Sequence, residues 1–204
     1  MKLDWAGCLN GRDVGGLPTA DGRRIRFGAL LRSDSHNRLT AEGIAAVRAA
    51  GIGRILDLRW ARETAREPSP FADDPVYRNA PLIADLAEQG TTMPDAYRTM
   101  LDDNRRQITG VFVQLSDAPP GAVAVHCSAG RDRTGVLVAL ALSVAGVPAG
   151  SIAADYALTE GCGGDTILRT LAHLETRHGG AFEYLTKGGA TSTQLSQVRD
   201  RLLS

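Results

Sequence analysis

The chain has 204 residues, of which 43% are hydrophobic, and this is enough for one domain over residues 1–204 with a sizeable core. Lysine plus arginine and aspartate plus glutamate both number 23, so the formal net charge is zero, which argues against a general nucleic-acid binder. The apolar runs are too short to cross a bilayer and the N-terminus lacks a signal-peptide pattern, so we expect a cytoplasmic protein, with secretion by a route without a cleaved signal left open.

Turn residues and periodicity predict strands that alternate with helices in the first part of the chain. Residues 10–16 are expected to form turns, and Thr40 is expected to cap a helix. The predicted strands cover residues 28–32, 54–58 and 76–82, and the predicted helical segments cover residues 41–50 and 60–67. Residues 85–92 are expected to form a polar loop or a short helix.

Helices dominate the remainder of the chain, with one short apolar strand among them. The strand is predicted at residues 122–125, and the helices at residues 94–102, 105–116, 133–145, 149–158, 165–177, 181–185 and 193–203. The alternation predicts an α/β fold with a central, mainly parallel sheet of four to five strands flanked by helices. A loop after a strand of such a sheet lies where open α/β sheets bind ligands.

One stretch has the composition of an anion-binding loop. His126-Cys-Ser-Ala-Gly-Arg-Asp-Arg-Thr-Gly135 lies between an apolar strand and an apolar helix. Its N–H groups and the positive end of the helix can point at one place. The thiolate of Cys127 is the predicted nucleophile, and the planar guanidinium of Arg133 matches two oxygens of a phosphate. The Cys-x5-Arg interval lets the loop curl around one tetrahedral oxyanion.

The other loop residues have supporting parts in this interpretation. The predicted phosphate-binding residues are Ser128, Ala129, Gly130, Arg131, Asp132 and Arg133. Gly130 gives the backbone freedom to turn, and the hydroxyl of Thr134 is expected to stabilise the thiolate with a hydrogen bond. His126 is expected to hold the loop from behind, because its side chain should point away from Cys127 on an extended strand.

The leaving oxygen needs a proton, so a general acid is expected. Asp132 is the nearest candidate in sequence, although it could instead pair with an arginine or cap the helix. Asp57, Asp85 and Asp95 are the other candidates. The sequence leaves this choice open.

The loop resembles the signature loop of cysteine-dependent phosphatases of the protein tyrosine phosphatase superfamily. More narrowly, the chain resembles the bacterial tyrosine/serine protein phosphatase family, which includes a secreted mycobacterial phosphatase and bacterial lipid phosphatases. Besides the loop with its Asp132, the matching stretches are Asn10-Gly-Arg-Asp-Val-Gly-Gly16, Leu31-Arg-Ser33, Asp57-Leu-Arg59, Gly146-Val-Pro148, Asp155-Tyr156 and Tyr184-Leu185.

The resemblance implies that Cys127 is the nucleophile, that Arg133 binds phosphate and that Asp132 is important for turnover. It also implies a phosphoprotein or phosphopeptide substrate carrying phosphotyrosine, often with phosphoserine, phosphothreonine or phosphoinositides, and inorganic phosphate as a loop ligand. Arg131 stands where the family commonly has lysine, which bears on the preference between phosphoinositides and phosphopeptides.

Two other classes remain open alongside a phosphatase. An arsenate reductase and a sulfurtransferase also use a loop cysteine in an anion cradle, although the first needs partner cysteines and the second usually has a loop shorter by one residue. A phosphate-binding protein without activity is a third class, against which the intact Cys127 and Arg133 argue. Cys8 and Cys162 are expected to be free thiols, and neither a metal nor a cofactor is expected, because the cysteine spacings match no zinc pattern.

Overall fold

The computed structural model describes residues 1–84 and 93–203, without the side chains of residues 93–95. Its sheet has the strand order β1-β2-β5-β3-β4, in which β1 is antiparallel to β2 and the other neighbours are parallel. The strands are β1 Arg12–Asp13, β2 Leu30–Ser33, β3 Ile52–Asp57, β4 Tyr77–Asn79 and β5 Ala122–His126. The five strands of the described residues confirm the predicted α/β fold with a mainly parallel sheet of four to five strands.

The helices of the described residues follow the predicted pattern closely. They are α1 Ala41–Ala49, α2 Ala61–Arg66, α3 Met93–Asp103, α4 Arg105–Phe112, α5 Asp132–Val144, α6 Ala149–Ala157, α7 Gly164–His178, α8 Gly180–Gly188 and α9 Ser192–Leu202. Thr40 caps α1 as predicted, because its Oγ1 accepts a hydrogen bond from the N–H of Gly43 at 3.2 Å. The loop or helix predicted at residues 85–92 lies outside the described residues.

One prediction about the first segment was incomplete. Residues 10–16 were expected to contain only turns, yet they include the two-residue strand β1. The strand exists because Arg12 and Asp13 pair with Arg32 and Leu31 of β2. Such a short strand has no periodicity of its own, so only its pairing partner defines it.

Alternating side chains of the strands form two cores, one on each face of the sheet. The face toward α1 is covered by the buried cluster Trp5, Leu31, Val47, Ile55, Phe71, Ala122 and Ala124. The opposite face includes Leu30, Leu56, Val123 and Val125 and belongs to the larger cluster built around α5. Because α5 is buried from Thr134 to Leu142, its apolar sequence has no exposed side.

The register of the three central strands brings their carboxyl ends to one level. Ser33 of β2 and Asp57 of β3 both align with His126 of β5. The segments that follow β2, β3 and β5 therefore begin side by side at one edge of the sheet, where parallel sheets bind ligands. No helix in the described residues is long and apolar enough to span a membrane.

Candidate active site

The stretch predicted to bind an anion lies at this edge as a loop between β5 and α5. Cys127 directly follows β5, and α5 begins at Asp132. The side chain of Cys127 is almost fully buried, with 3% of its surface exposed. The positive end of the α5 dipole adjoins the loop, and a helix N-terminus favours bound anions. The predicted order of strand, loop and helix is therefore present.

Residues outside the loop donate hydrogen bonds to its carbonyl groups. The N–H of Ser35 donates to the oxygen of Ser128 at 2.9 Å, and the side-chain amide of Asn10 donates to the oxygens of Ala129 and Gly130, both at 3.2 Å. These bonds turn the carbonyls away from the centre of the loop. In the part of the chain that the structure describes, no acceptor takes the N–H groups of residues 128–133, which leaves them available for an anion.

A buried ion cluster fixes the same side of the loop. Asp155 accepts from Arg12 Nε and from Arg32 Nη1, both at 2.9 Å, and Arg32 Nη2 donates to the carbonyl of Gly130 at 3.0 Å. The three charged side chains are each at most 7% exposed. Since two guanidinium groups share one carboxylate, the cluster has one excess positive charge behind the loop, and this favours an anion in it.

Two glycines of the stretch are required by geometry. Gly130 has a φ of 66°, and a Cβ at this position would overlap the carbonyl oxygen of Ser33. At Gly135 a Cβ would lie 2.7 Å from a ring carbon of Tyr156, so the glycine permits close packing of α5. Only glycine therefore lets the loop approach the end of β2 and lets α5 approach α6.

His126 lies behind the loop, where the sequence placed it. Its ring is fully buried, and its Nδ1 lies 3.1 Å from the carbonyl oxygen of Cys127, so Nδ1 carries the donated hydrogen. The ring packs against that of His36, with 4.3 Å between the centroids. Burial lowers the pKa of His126 and lowers the pKa of His36 well below its usual value. The two rings are therefore neutral near pH 7 and act as packing and hydrogen-bonding groups.

The guanidinium of Arg133 is held by Glu63, a residue for which the sequence analysis assigned no function. Glu63 accepts from Nη1 at 2.6 Å and from Nη2 at 2.9 Å, and the guanidinium carbon lies 4.6 Å from the centre of the Trp60 ring. Burial would lower the pKa of Arg133, but the Glu63 carboxylate raises it overall. Because Glu63 occupies the Nη1–Nη2 edge, the Nε–Nη2 edge remains for two oxygens of a phosphate.

Asp132 is the first residue of α5 and contacts a tyrosine from a distant helix. The hydroxyl of Tyr97 donates to Asp132 Oδ1 at 2.6 Å and lies 2.6 Å from the hydroxyl of Tyr156. Since the single proton of Tyr97 goes to Asp132, Tyr156 donates to Tyr97. Burial and the nearby carboxylate raise the pKa of Tyr97 above its usual value, so it stays a donor. Tyr97 thus orients Asp132 and leaves Oδ2 free of partners among the described residues.

Arg131 lies at the rim of the loop. Its Nε is 3.4 Å from Asp132 Oδ1, and a Cβ at Gly161 would lie 3.8 Å from its Nη1. The side chain is 38% exposed, which is compatible with contact to a bound substrate. Thr134 is fully buried, and its hydroxyl has no hydrogen-bond partner in the described residues, so the hydrogen bond to the thiolate stays a prediction.

The alternative acid Asp57 does not fit the site. Its side chain is fully buried, and its oxygens accept from Arg59 Nε at 3.0 Å, from Arg59 Nη2 at 2.7 Å and from the hydroxyl of Tyr77 at 2.9 Å. Burial would raise the pKa of Asp57, but its positive neighbours lower it overall. A buried carboxylate that is ionised and fully bonded is a structural group. Asp85 and the side chain of Asp95 lie outside the described residues.

The two other cysteines lie in surroundings that differ from those of Cys127. The thiol of Cys8 donates to Asp34 Oδ1 at 2.8 Å, and burial together with this carboxylate raises its pKa to about 12. Cys162 is a neighbour of the Tyr156 hydroxyl. All three cysteines are free thiols, as predicted for Cys8 and Cys162.

Several residues that build this site had no role predicted from the sequence. Four residues that hold the loop lie in stretches that resemble the phosphatase family, namely Asn10, Arg12, Arg32 and Asp155. The resemblance was therefore the available signal for them. Glu63 and Tyr97 had none, because each occupies an ordinary helical position.

Comparisons with known proteins agree with the geometry. The sequence profile described as "Tyrosine phosphatase family" matches residues 3–165. A tyrosine-protein phosphatase of Nostoc commune is 30% identical over 228 residues, which cover 91% of this chain and 78% of that protein. The triple specificity protein phosphatase PtpB of Mycobacterium tuberculosis is 33% identical over 188 residues, which cover 74% of this chain and 66% of that protein.

Proposed function

The chain belongs to the tyrosine phosphatase family, and we propose that it hydrolyses phosphotyrosine in proteins through a phosphocysteine intermediate on Cys127. One observation carries the proposal. The loop from Cys127 to Arg133 has its carbonyls bound from outside, its N–H groups available, and its arginine fixed by Glu63. This is an arrangement of donors for the three nonbridging oxygens of a phosphate monoester above a thiol.

In the first step the thiolate of Cys127 attacks phosphorus. The S–P bond forms while the P–O bond to the tyrosine oxygen breaks, and the carboxyl of Asp132 gives its proton to the leaving oxygen. The nonbridging oxygens stay bound to the loop N–H groups and to the free edge of Arg133. These donors are fixed before the reaction, so they stabilise the charge without reorganisation.

In the second step water hydrolyses the phosphocysteine. The carboxylate of Asp132 takes a proton from the attacking water, the new P–O bond forms, and the P–S bond breaks. Inorganic phosphate leaves, and Cys127 returns as the thiolate with Asp132 protonated. Oδ2 of Asp132 is the oxygen that we assign to both proton transfers, since Tyr97 occupies Oδ1.

The substrate range depends on the rim. One relative is named a triple specificity phosphatase, and we extend a broad range to this chain, with phosphoserine, phosphothreonine and phosphoinositides as further substrates. Arg131 has a planar, forked cation at the rim, which suits a second phosphate group or an acidic side chain of a peptide. A panel of phosphotyrosine, phosphoserine and phosphothreonine peptides and phosphoinositides, assayed with Arg131→Lys beside the parent, measures this preference.

The nucleophile is tested by Cys127→Ser, with Cys162→Ser as the matched control. We expect Cys127→Ser to abolish hydrolysis of an aryl phosphate and to retain phosphate binding, measured by calorimetry, whereas Cys162→Ser keeps turnover. Acid quenching during turnover of a labelled substrate should trap phosphate on Cys127, identified by mass spectrometry. Turnover by Cys127→Ser above one thousandth of the parent rate is incompatible with the mechanism.

The acid is tested by Asp132→Asn, with Asp165→Asn as the control. Asp165 also lies in the first turn of a helix, so it matches the interaction of Asp132 with a helix dipole. We expect the rate of Asp132→Asn to depend more steeply on the basicity of the leaving group across a series of aryl phosphates. An unchanged dependence would assign the proton transfer to another residue.

Among the residues that the structure describes, no contact favours an arsenate reductase or a sulfurtransferase. An arsenate reductase needs partner thiols. The thiol of Cys8 is held protonated by burial and Asp34, so it is a poor relay group, and Cys162 is left as the remote candidate. The loop keeps the longer Cys-x5-Arg interval that distinguishes it from the sulfurtransferase loop. Assays for arsenate reduction and thiosulfate sulfurtransfer serve as negative controls.

A further inference from the structure

Two histidines and one aspartate meet between α3 and α7, apart from the residues used above. Asp102 lies on α3, and His173 and His178 lie on α7. The Nε2 atoms of the histidines lie 2.9 Å and 2.7 Å from the same oxygen, Asp102 Oδ1. One possible ligand atom from each of the three residues lies within 4.8 Å of the other two. Imidazole and carboxylate are ligands that Zn²⁺ prefers.

The spacing is close to that of a zinc site. Zinc bonds of about 2.0–2.2 Å at tetrahedral angles place ligand atoms roughly 3.4 Å apart. The distances between Oδ1 and the Nε2 atoms are 2.9 Å and 2.7 Å, so each nitrogen needs to move about 0.5–0.7 Å away from Oδ1. Side-chain rotation of Asp102 supplies this, because its side chain is 37% exposed.

The less exposed of these two histidines is oriented by contacts with Tyr184. The ring of His178 is 8% exposed and packs edge-on against Tyr184, with 5.1 Å between the ring centres. The hydroxyl of Tyr184 donates at 2.8 Å to the carbonyl of Leu101, the residue before Asp102. Tyr184 therefore fixes the His178 ring and the backbone beside Asp102 together, and such outer contacts stabilise metal sites.

We propose that Asp102, His173 and His178 bind one Zn²⁺, with water as the fourth ligand on the exposed side of Asp102. In the metal-bound form each imidazole has its proton on Nδ1, so that the lone pair of Nε2 coordinates the metal. The metal replaces the two hydrogen bonds to Oδ1 and joins α3 to α7. His173 and His178 lie beyond residues 3–165, the part of the chain that matches the family profile.

Joining these helices has a consequence for the active site. The helix α3 carries both Asp102 and Tyr97, and Tyr97 donates to Asp132. A metal that ties α3 to α7 therefore stabilises the helix that orients Asp132. The binding itself does not depend on the proposed catalytic mechanism.

Cobalt(II) is the probe, because tetrahedral Co²⁺ has strong visible absorption. The titration uses the full chain with Cys127→Ser, so that the nucleophilic thiol cannot bind the metal. We expect one Co²⁺ per chain with a tetrahedral spectrum, displaced by Zn²⁺. Asp102→Asn, His173→Gln and His178→Gln should each weaken Zn²⁺ binding at least tenfold, whereas Asp103→Asn, a neighbouring exposed acid on α3, should not.

Thermal unfolding gives a second measurement. Zn²⁺ at a hundredfold excess over its Kd should raise the unfolding midpoint by about 5–10 °C, and Asp102→Asn should remove this shift. The proposal is overturned if the Co²⁺ spectrum stays octahedral, or if tight binding survives in both Asp102→Asn and His173→Gln. In either case the cluster is a hydrogen-bonded link between helices and no more.

Discussion

Glu63→Gln tests whether Glu63 positions the guanidinium of Arg133 for catalysis. The carboxylate makes two hydrogen bonds to the guanidinium, at 2.6 Å and 2.9 Å, and the pair is only 12% and 20% exposed. A glutamine keeps one acceptor, and its amide group opposes the second guanidinium nitrogen. The lost bond to a charged partner is worth about 1.5–3 kcal/mol.

That loss should appear mainly in catalysis. A cost of about 1.5–3 kcal/mol corresponds to a fall of roughly 10- to 160-fold in kcat/KM for an aryl phosphate. We also expect weaker inhibition by inorganic phosphate, because Arg133 is no longer held with its Nε–Nη2 edge in place. Steady-state kinetics with both readouts, beside circular dichroism and thermal unfolding, provide the measurement.

The control is Glu42→Gln, because Glu42 is an exposed glutamate in the first turn of α1, as Glu63 is in the first turn of α2. It should keep kcat/KM within a factor of about two. Folded Glu63→Gln protein with the parent kcat/KM and phosphate inhibition would refute the positioning of Arg133 by Glu63. A fall in activity that merely follows unfolding at the assay temperature would refute it as well.

Two further predictions concern stability. Asp155→Asn leaves buried guanidinium groups without their carboxylate, so the free energy of unfolding measured by chemical denaturation should fall by about 3 kcal/mol or more. A fall of less than about 1 kcal/mol would contradict the buried cluster. Burial would raise the pKa of Asp155, but its arginine partners lower the pKa overall. The ionised carboxylate therefore stabilises the fold above about pH 4, and this stabilisation is lost as pH falls through the lower pKa of the folded state. Asp155→Asn should not show this loss. Burial lowers the pKa of His36 and of His126. Their contribution to the free energy of unfolding is therefore fully present above about pH 6.5, and below that pH it falls by up to about 1.4 kcal/mol per pH unit for each histidine. Unfolding free energies between pH 7.5 and 5.5 should decline with a slope that is smaller in His36→Gln, and an equal slope in both proteins contradicts the neutral pair.

The secondary structure was predictable because it is encoded locally. Thr40 caps α1 and the apolar run after the loop forms α5, since both depend on residues within a few positions. Errors occurred where the local signal was weak. The strand β1 was missed because it exists only through pairing with β2, and α8 extends beyond the predicted residues 181–185.

The candidate general acid shows the limit of this reasoning. Asp132 was the candidate nearest to Cys127 in sequence and Asp57 was another, and the sequence had no means of choosing between them. The structure separates them by their neighbours. Asp57 is fully buried against Arg59, whereas Asp132 is 32% exposed and bonded to Tyr97.

The sequence by itself determined which chemical groups meet in the loop. Cys127, Gly130 and Arg133 lie within seven consecutive residues between a strand and a helix, so backbone geometry alone brings the thiol, the N–H groups and the guanidinium together. The tertiary structure alone decided how these groups are held. Glu63 contacts Arg133, 70 residues away in sequence, and Arg12 contacts Asp155, 143 residues away. Contacts between residues so far apart in sequence depend on the packing of the whole sheet and its helices, and no local sequence pattern encodes them.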